Sequence, residues 1–304
     1  MKNRGLFLIN PDDLHEELIR KLCEISQSFD ETIYVVTKAD EFNNLGVTTG
    51  QLLVWLHKLL ILRSSNPFFL IPFATKGAIG INTWLKLKLL TPSFNTLYSN
   101  KEDEAAARLI LNCKFEPLPV VANDQARKIT FTNRSIKRGL YITRAQPFHN
   151  GHAAFVKQMA EECDELIILL AAAELSHLPQ NPLSASERLE MLHEYLNANF
   201  SGKYYLIALP QNTFTLENMH ELRFLLPEFQ VVYGTNPIIL SMCASLKIPV
   251  ESLHQKVTIS ATEIRNKILN GEPYDEDVPP NILAYLSKIG LQERLQLLNH
   301  EFKR

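Results

Sequence analysis

Residues 138–152 read Arg-Gly-Leu-Tyr-Ile-Thr-Arg-Ala-Gln-Pro-Phe-His-Asn-Gly-His, and residues 4–9 read Arg-Gly-Leu-Phe-Leu-Ile. A shift of 134 positions superimposes the two starts and pairs His15 with His149. The same shift lays Asp30-Glu31-Thr32-Ile33 on Asp164-Glu165-Leu166-Ile167. Over residues 4–36 this ungapped register holds seven identities in 33 positions, where ordinary composition gives about two. With small gaps the echo continues: Pro92, Phe94 and Tyr98 match Pro227, Phe229 and Tyr233, and Ile129-Thr130-Phe131 resembles Val257-Thr258-Ile259. Two unrelated α/β domains would share apolar runs, but not Arg-Gly-Leu, His and Asp-Glu in one register. The chain reads as a tandem duplication.

Within each copy the pattern is strand, loop, helix, strand. Leu140 to Thr143 is a short apolar run without alternation, as in a strand covered on both faces. Pro147 to Gly151 breaks it, and Ala153, Phe155, Val156, Met159 and Ala160 then recur at helical spacing. Glu165 to Ala172 reads as the next buried strand. Strands alternating with helices predict an α/β fold of two tandem doubly wound parallel sheets, over residues 1–137 and 138–304. No Gly/Ser linker separates the copies.

A length of 304 residues suits two domains. At 46% hydrophobic and 21% charged, the chain is neither disordered nor of low complexity. Thirty-one basic against 33 acidic residues give −2, so no basic excess argues for nucleic acid. The apolar starts and runs are too short for a secretory signal or a membrane span. Cys23, Cys113, Cys163 and Cys243 are far apart and form no Cys-x-x-Cys pair. They read as free thiols of a cytoplasmic protein, and no protein metal site is expected from them.

The chemistry gathers in the second copy. His149 and His152, three apart, share one side of a first helical turn, and Gly151 lets a ligand approach the backbone. A helix start after the first strand of such a sheet is an anion site. Imidazoles there suit a phosphoryl group gaining charge in transfer, and Arg144 adds a cationic clamp. Alone, His-x-Gly-His is a weak signal. About a hundred residues on, residues 259–265 read Ile-Ser-Ala-Thr-Glu-Ile-Arg. Ser260 with Glu263 is a capping box that starts another helix. On the functional reading, Ser260, Thr262 and Arg265 address a polyphosphate. On the plainer one they only begin a surface helix. Two phosphate-seeking helix starts in one domain are far more specific than either.

Together these motifs resemble the signature of the nucleotidylyltransferase superfamily. Residues 138–304 look most like the archaeal-type nicotinamide-mononucleotide adenylyltransferases. The likeness includes Leu175-Ser176-His177, Asn181-Pro182, Glu187-Arg188, Tyr233-Gly234-Thr235-Asn236-Pro237, Gly271-Glu272-Pro273 and Val278-Pro279. It implies attack of a mononucleotide's 5′-phosphate on the α-phosphate of ATP, with Mg²⁺ assistance and release of pyrophosphate. By matched position Thr143, Arg144, Gln146, Pro147, His149, Gly151, His152, Gly234 and Asn236 lie on the ATP side. Ser260, Thr262 and Arg265 hold the β- and γ-phosphates. His149, His152, Arg144 and Arg265 form the catalytic set, with the histidines as donors rather than bases. Ser176, His177, Phe214 and Asn218 fall to the acceptor side. The family usually forms oligomers, so a homo-oligomer is expected too.

Three departures bear on the acceptor. Thr143-Arg144-Ala145 stands where the family has Gly-Arg-Phe or Gly-Arg-Met, and Ala172-Ala173-Glu174 replaces Ser-Ala-Gln. Gln211 to Asn218 replaces Asp-Ile-x-x-Asn-x-x-Trp, and the stacking Trp is missing. Two other readings therefore stand beside transfer to nicotinamide mononucleotide: transfer to another phosphorylated acceptor (flavin, pantetheine or sugar phosphate), or a non-catalytic nucleotide-binding regulator. The first copy has His15-Glu16-Glu17-Leu18 where the second has His-Asn-Gly-His, and residues 131–137 only echo the later motif. Residues 1–137 are expected to be non-catalytic. His193 and His254 are expected at the surface, Trp55 in the core, and Lys101 to Glu104 as a solvated helix start.

Overall fold

The computed structural model describes residues 2–37, 46–73, 80–119, 136–209, 215–254 and 258–302. Residues 129–131, part of the weaker echo, lie outside them, as does most of 131–137. Contacts divide the chain into two compact units, Met1–Ser135 with His220–Glu228, and Ile136–Met219 with Phe229–Arg304. The nine-residue excursion of the later sequence into the first unit is not foreshadowed by the repeat.

In the first unit β1 (Arg4–Ile9), β2 (Glu31–Thr37), β3 (Phe68–Phe73), β4 (Thr96–Ser99) and β5 (Lys114–Pro117) form one sheet in the order β3-β2-β1-β4-β5. In the second, β6 (Arg138–Thr143), β7 (Glu165–Leu170), β8 (Lys203–Ala208), β9 (Val231–Tyr233) and β10 (Val250–Glu251) run β10-β9-β6-β7-β8. Every pairing is parallel. Counted from its own first strand, each sheet has the order 3-2-1-4-5, so the duplication seen in the residues is a duplication of topology. The connecting helices of the first unit are α1 (Glu16–Ser26), α2 (Thr49–Arg63), α3 (Ile81–Leu90) and the single turn α4 (Glu104–Ala106). Those of the second half are α5 (Asn150–Glu162), α6 (Ala185–Asn199), α7 (Leu216–Leu225), α8 (Pro237–Ser245), α9 (Ala261–Asn270), α10 (Pro280–Lys288) and α11 (Leu291–Glu301).

The repeated residues explain the repeated register. Arg4 faces Glu31 across β1 and β2, and Arg138 faces Glu165 across β6 and β7. Each pair closes a buried ion pair through Nε, at 2.8 Å and 2.6 Å. The backbone N–H of Arg4 donates to the Asn95 side chain at 2.9 Å, and that of Arg138 to Gln230 at 2.8 Å. Asp30 and Asp164 accept from the backbone N–H of Asn3 and Lys137. A buried ion pair adds little net stability, but a strand slipped by one residue would strand both charges, so the pair specifies register. Gly5 and Gly139 are needed for close packing. A Cβ there would lie 2.6 Å from the Phe29 ring and 2.8 Å from the Tyr233 ring.

Both faces of β7 are covered, which accounts for its unbroken apolar run. Phe155, Val156 and Met159 turn the inner stripe of α5 to the sheet. Several local expectations are corrected. The strand expected through Ala172 ends at Leu170, and Ala172 adopts a left-handed φ of 50°. Lys101–Asp103 is a 3₁₀ turn leading into α4, and Asp103 is buried with its carboxylate accepting from Ser99 Oγ. His193 is buried, sharing hydrogen bonds with Tyr204 and Asn197. Trp55 is in the core and the four cysteines are free thiols. Among the described residues no helix is long and apolar enough to cross a membrane.

Candidate active site

The order of the second sheet reverses between β6 and β9, and there the strand ends open the crevice that ligands use in such sheets. After β6 the chain makes a packed turn. Thr143 Oγ1 accepts the Ala145 N–H at 3.1 Å, and Ala145 takes a left-handed φ of 50°. Gln146, 2% exposed, uses its whole amide on one residue: Nε2 donates to the Leu183 carbonyl at 2.8 Å, and Oε1 accepts the Leu183 N–H at 2.9 Å. Phe148 is fully buried and stacks on His152. This rigid turn delivers His149 to the N-cap of α5.

The two histidines cap that helix reciprocally. His149 Nδ1 accepts the Gly151 N–H at 3.1 Å, and His152 Nδ1 accepts the His149 N–H at 3.1 Å. A ring nitrogen that accepts carries no proton, so each neutral imidazole has its hydrogen on Nε2. Burial pushes His149 down to about 4, against the opposing pull of Asp277 and Glu263. Burial and the neighbouring His149 push His152 well below the ordinary imidazole range. With ring centroids 3.7 Å apart, the pair presents two neutral Nε2–H donors at neutral pH.

The second helix start arrives beside the first. Ser260 caps α9 in a full capping box with Glu263. From the next turn Arg265, 9% exposed, donates to the Gln146 carbonyl at 2.7 Å and to Thr262 Oγ1 at 3.1 Å. Its hydrogen bonds thus go to neutral oxygens, and burial lowers its pKa. These bonds tie α9 to the turn before α5. Between the two helix starts lies a cavity of about 570 Å³ lined by His149, Gly151, His152, Ile259, Ser260 and Ala261. Tyr141 and Phe155 also line it, with Thr235 and residues 252–254 forming another wall.

The other predicted residues are placed as follows. Arg144 is exposed on the turn, while Thr143, Gln146 and Pro147 are buried within it. Thr262 is exposed on the first turn of α9. Gly234 and Asn236 follow β9; the Asn236 side chain caps α8 by accepting the Ile238 N–H at 3.0 Å. Ser176 and His177 sit on the loop after β7 and Asn218 on α7, none of them lining the cavity. Phe214 lies outside the described residues. The sequence reading missed Thr235 and residues 252–254 as a cavity wall. His254, expected only at the surface, is 69% exposed in its side chain yet lines the cavity. Gln158 of α5 holds that wall, donating to the Ser252 carbonyl at 3.1 Å and accepting the His254 N–H at 3.0 Å. The cue was a polar residue on the apolar stripe of α5.

Comparison with known proteins bears on the same half of the chain. The cytidylyltransferase-like family model matches residues 140–267. A nicotinamide-nucleotide adenylyltransferase from Methanosphaerula palustris is 37% identical over 161 residues, covering 52% of this chain and 95% of the relative. One from Pyrococcus furiosus is 34% identical over 168 residues, covering 54% and 89%. Among solved structures, a bifunctional NMN adenylyltransferase/ADP ribose pyrophosphatase from Francisella tularensis matches with a TM-score of 0.47 and 17% identity. The match covers 55% of this chain and about half, 54%, of that one. With more than 30% identity across nearly the whole length of those archaeal enzymes, this chain belongs to the nicotinamide-nucleotide adenylyltransferase family.

Proposed function

We propose that the second unit transfers an adenylyl group from ATP to the 5′-phosphate of nicotinamide mononucleotide. An oxygen of the acceptor phosphate attacks the α-phosphorus, the bond to the β-phosphate oxygen breaks, and pyrophosphate leaves. The observation that carries this reading is the pair of imidazoles, each with Nδ1 accepting a backbone N–H and so its proton on Nε2, lining a cavity bounded by a second helix start. A phosphate nucleophile is already ionised at neutral pH, so the step needs positioning and charge stabilisation rather than a base. His149 and His152 serve as those donors, Arg144 and Arg265 supply positive charge, and Ser260 and Thr262 with the α9 backbone receive the polyphosphate end.

ATP enters as its complex with a divalent cation such as Mg²⁺, which we write as substrate. Among the described residues no group of three or more His, Cys, Asp or Glu side chains is placed to hold a metal ion. The first unit takes no part in this chemistry. Pyrophosphate release from MgATP, measured against a panel of acceptors, tests the proposal. Release with nicotinamide mononucleotide is expected. Release only with a flavin, pantetheine or sugar phosphate would reassign the acceptor, and none at all would leave a nucleotide-binding regulator.

A further inference from the structure

Arg188 has no part in the roles assigned above, yet among the described residues it is the largest fully buried side chain, at 0% exposed. It stands on the first turn of α6 and spends its guanidinium on backbone carbonyls. Nη1 donates to Arg144 at 3.0 Å and to Ala171 at 3.0 Å, and Nη2 donates to Ala172 at 3.1 Å. Nε reaches the Ser184 carbonyl at 3.3 Å. Burial pulls its pKa down to about 10, with Glu174 pulling the other way. A buried guanidinium hydrogen-bonded only to neutral oxygens is costly, so its geometry is the feature to explain.

That geometry is specific. Thr143 and Leu170 are paired across β6 and β7, and Arg144 and Ala171 are the residues that follow them off the sheet. One guanidinium nitrogen therefore bridges the two loops at the point where they part. Just beyond, Ala145 and Ala172 both turn left-handed, each with φ of 50°. This rotates the chain out of the strand ladder, and buried carbonyls here need other donors. A planar fork with several fixed donors reaches these oxygens together, and a lysine ammonium does not.

We infer that Arg188 is a positioning residue for adenylyl transfer: it fixes the backbone of Arg144 so that the Arg144 side chain meets the transferring phosphate. This rests on the function proposed above. A phosphate-binding group displaced by about 1 Å costs up to ~10²-fold in rate. The cost should fall on kcat, because the Michaelis constant for ATP is shared among both helix starts and Arg265.

The test is a double-substitution cycle on the full-length chain with MgATP and nicotinamide mononucleotide. Arg188→Lys should lower kcat by about tenfold or more and leave the KM for ATP within about threefold. In an Arg144→Ala background the same substitution should change kcat by less than about twofold, since the group it positions is gone. Equal losses in both backgrounds, or a loss confined to KM, overturn the inference while leaving the proposed activity intact. If Arg144→Ala alone leaves turnover at the wild-type rate, the assignment of Arg144 falls and takes this inference with it. Thermal unfolding accompanies each variant, and Arg188→Gln stands in should Arg188→Lys fail to fold. Loss of the fold in both also overturns the inference, because a residue on which the sheet depends is structural.

Discussion

In the first unit His15 caps α1 by accepting the Leu18 N–H through Nδ1 at 3.2 Å, and in the second His149 caps α5 by accepting from Gly151. The capping task is therefore common to both copies, and what separates them is the next three residues. Leu18 stands where the second unit has His152, and it is buried in the core. Glu16 and Glu17 occupy the first turn of α1, where their charge complements the positive helix end. Each is already engaged, Glu16 with Arg63 and Glu17 with Arg20. Two carboxylates at the start of α1 weaken its attraction for a phosphate, whereas α9 carries one, Glu263, turned back onto the Ser260 N–H in its capping box. In the second unit the uncharged Asn150 and Gly151 hold those places, and the Gly151 N–H is taken by His149 Nδ1. A conserved cap thus tells of a conserved fold, and only the residues after it tell of chemistry.

The strongest way to break this comparison is at the strand ends the copies share. Glu31→Ala and Glu165→Ala each leave an arginine buried without its partner, at a cost of about 3–5 kcal/mol. Denaturant unfolding should show similar losses for both variants. Both tryptophans, Trp55 and Trp84, are in the first unit, so their fluorescence follows that unit and amide exchange follows the other. A loss below about 1 kcal/mol in either would mean that the two edges are not equivalent.

Next in size is the substitution that should divide the copies. His152→Ala is expected to lower turnover about 10²–10³-fold by removing a donor to the transferring phosphate. His15→Ala should leave turnover within about twofold while losing a cap worth roughly 1 kcal/mol. Steady-state rates with MgATP decide it: a loss of threefold or less in His152→Ala ends the donor assignment.

The smallest effect is a pH slope. His149 ionises at about 4 in the folded chain against an ordinary 6.5, and burial holds His152 down as well. Between those values the unfolded chain binds protons that the folded one refuses. The stabilisation is present above about 6.5 and is lost as the pH falls toward 4, at up to ~1.4 kcal/mol per pH unit per imidazole. Amide exchange in the second unit, followed from pH 7 to 4.5, should show this slope, and His149→Gln should flatten it.

Much of the architecture was legible because it rests on local signals. Arg-Gly-Leu twice, unbroken apolar runs, and the cap at Ser260 each act within a few residues. What was hidden depends on meetings across long sequence gaps. The family resemblance puts Gln146 on the ATP side, and only the fold shows its amide taken by Leu183. Nothing near Ala172 signals a left-handed turn, since alanine has no preference for one. His193 looks like a surface residue until Tyr204, eleven positions on, closes over it. The cavity wall at residues 252–254 follows a two-residue strand, too short to leave a pattern.

The strands themselves show how two copies can differ at one rim and share a shape. β1 and β6 are each six residues long, a span of roughly 20 Å at ~3.3 Å per residue. The arginine–glutamate locks sit at the amino ends and the variable loops at the carboxyl ends, a full strand length apart. Substitutions at one rim leave the ion pairs and hydrogen bonds of the other in place. One rim can therefore carry Glu17 and Leu18 in the first unit and Gly151 and His152 in the second, while the far rim dictates the same scaffold in both.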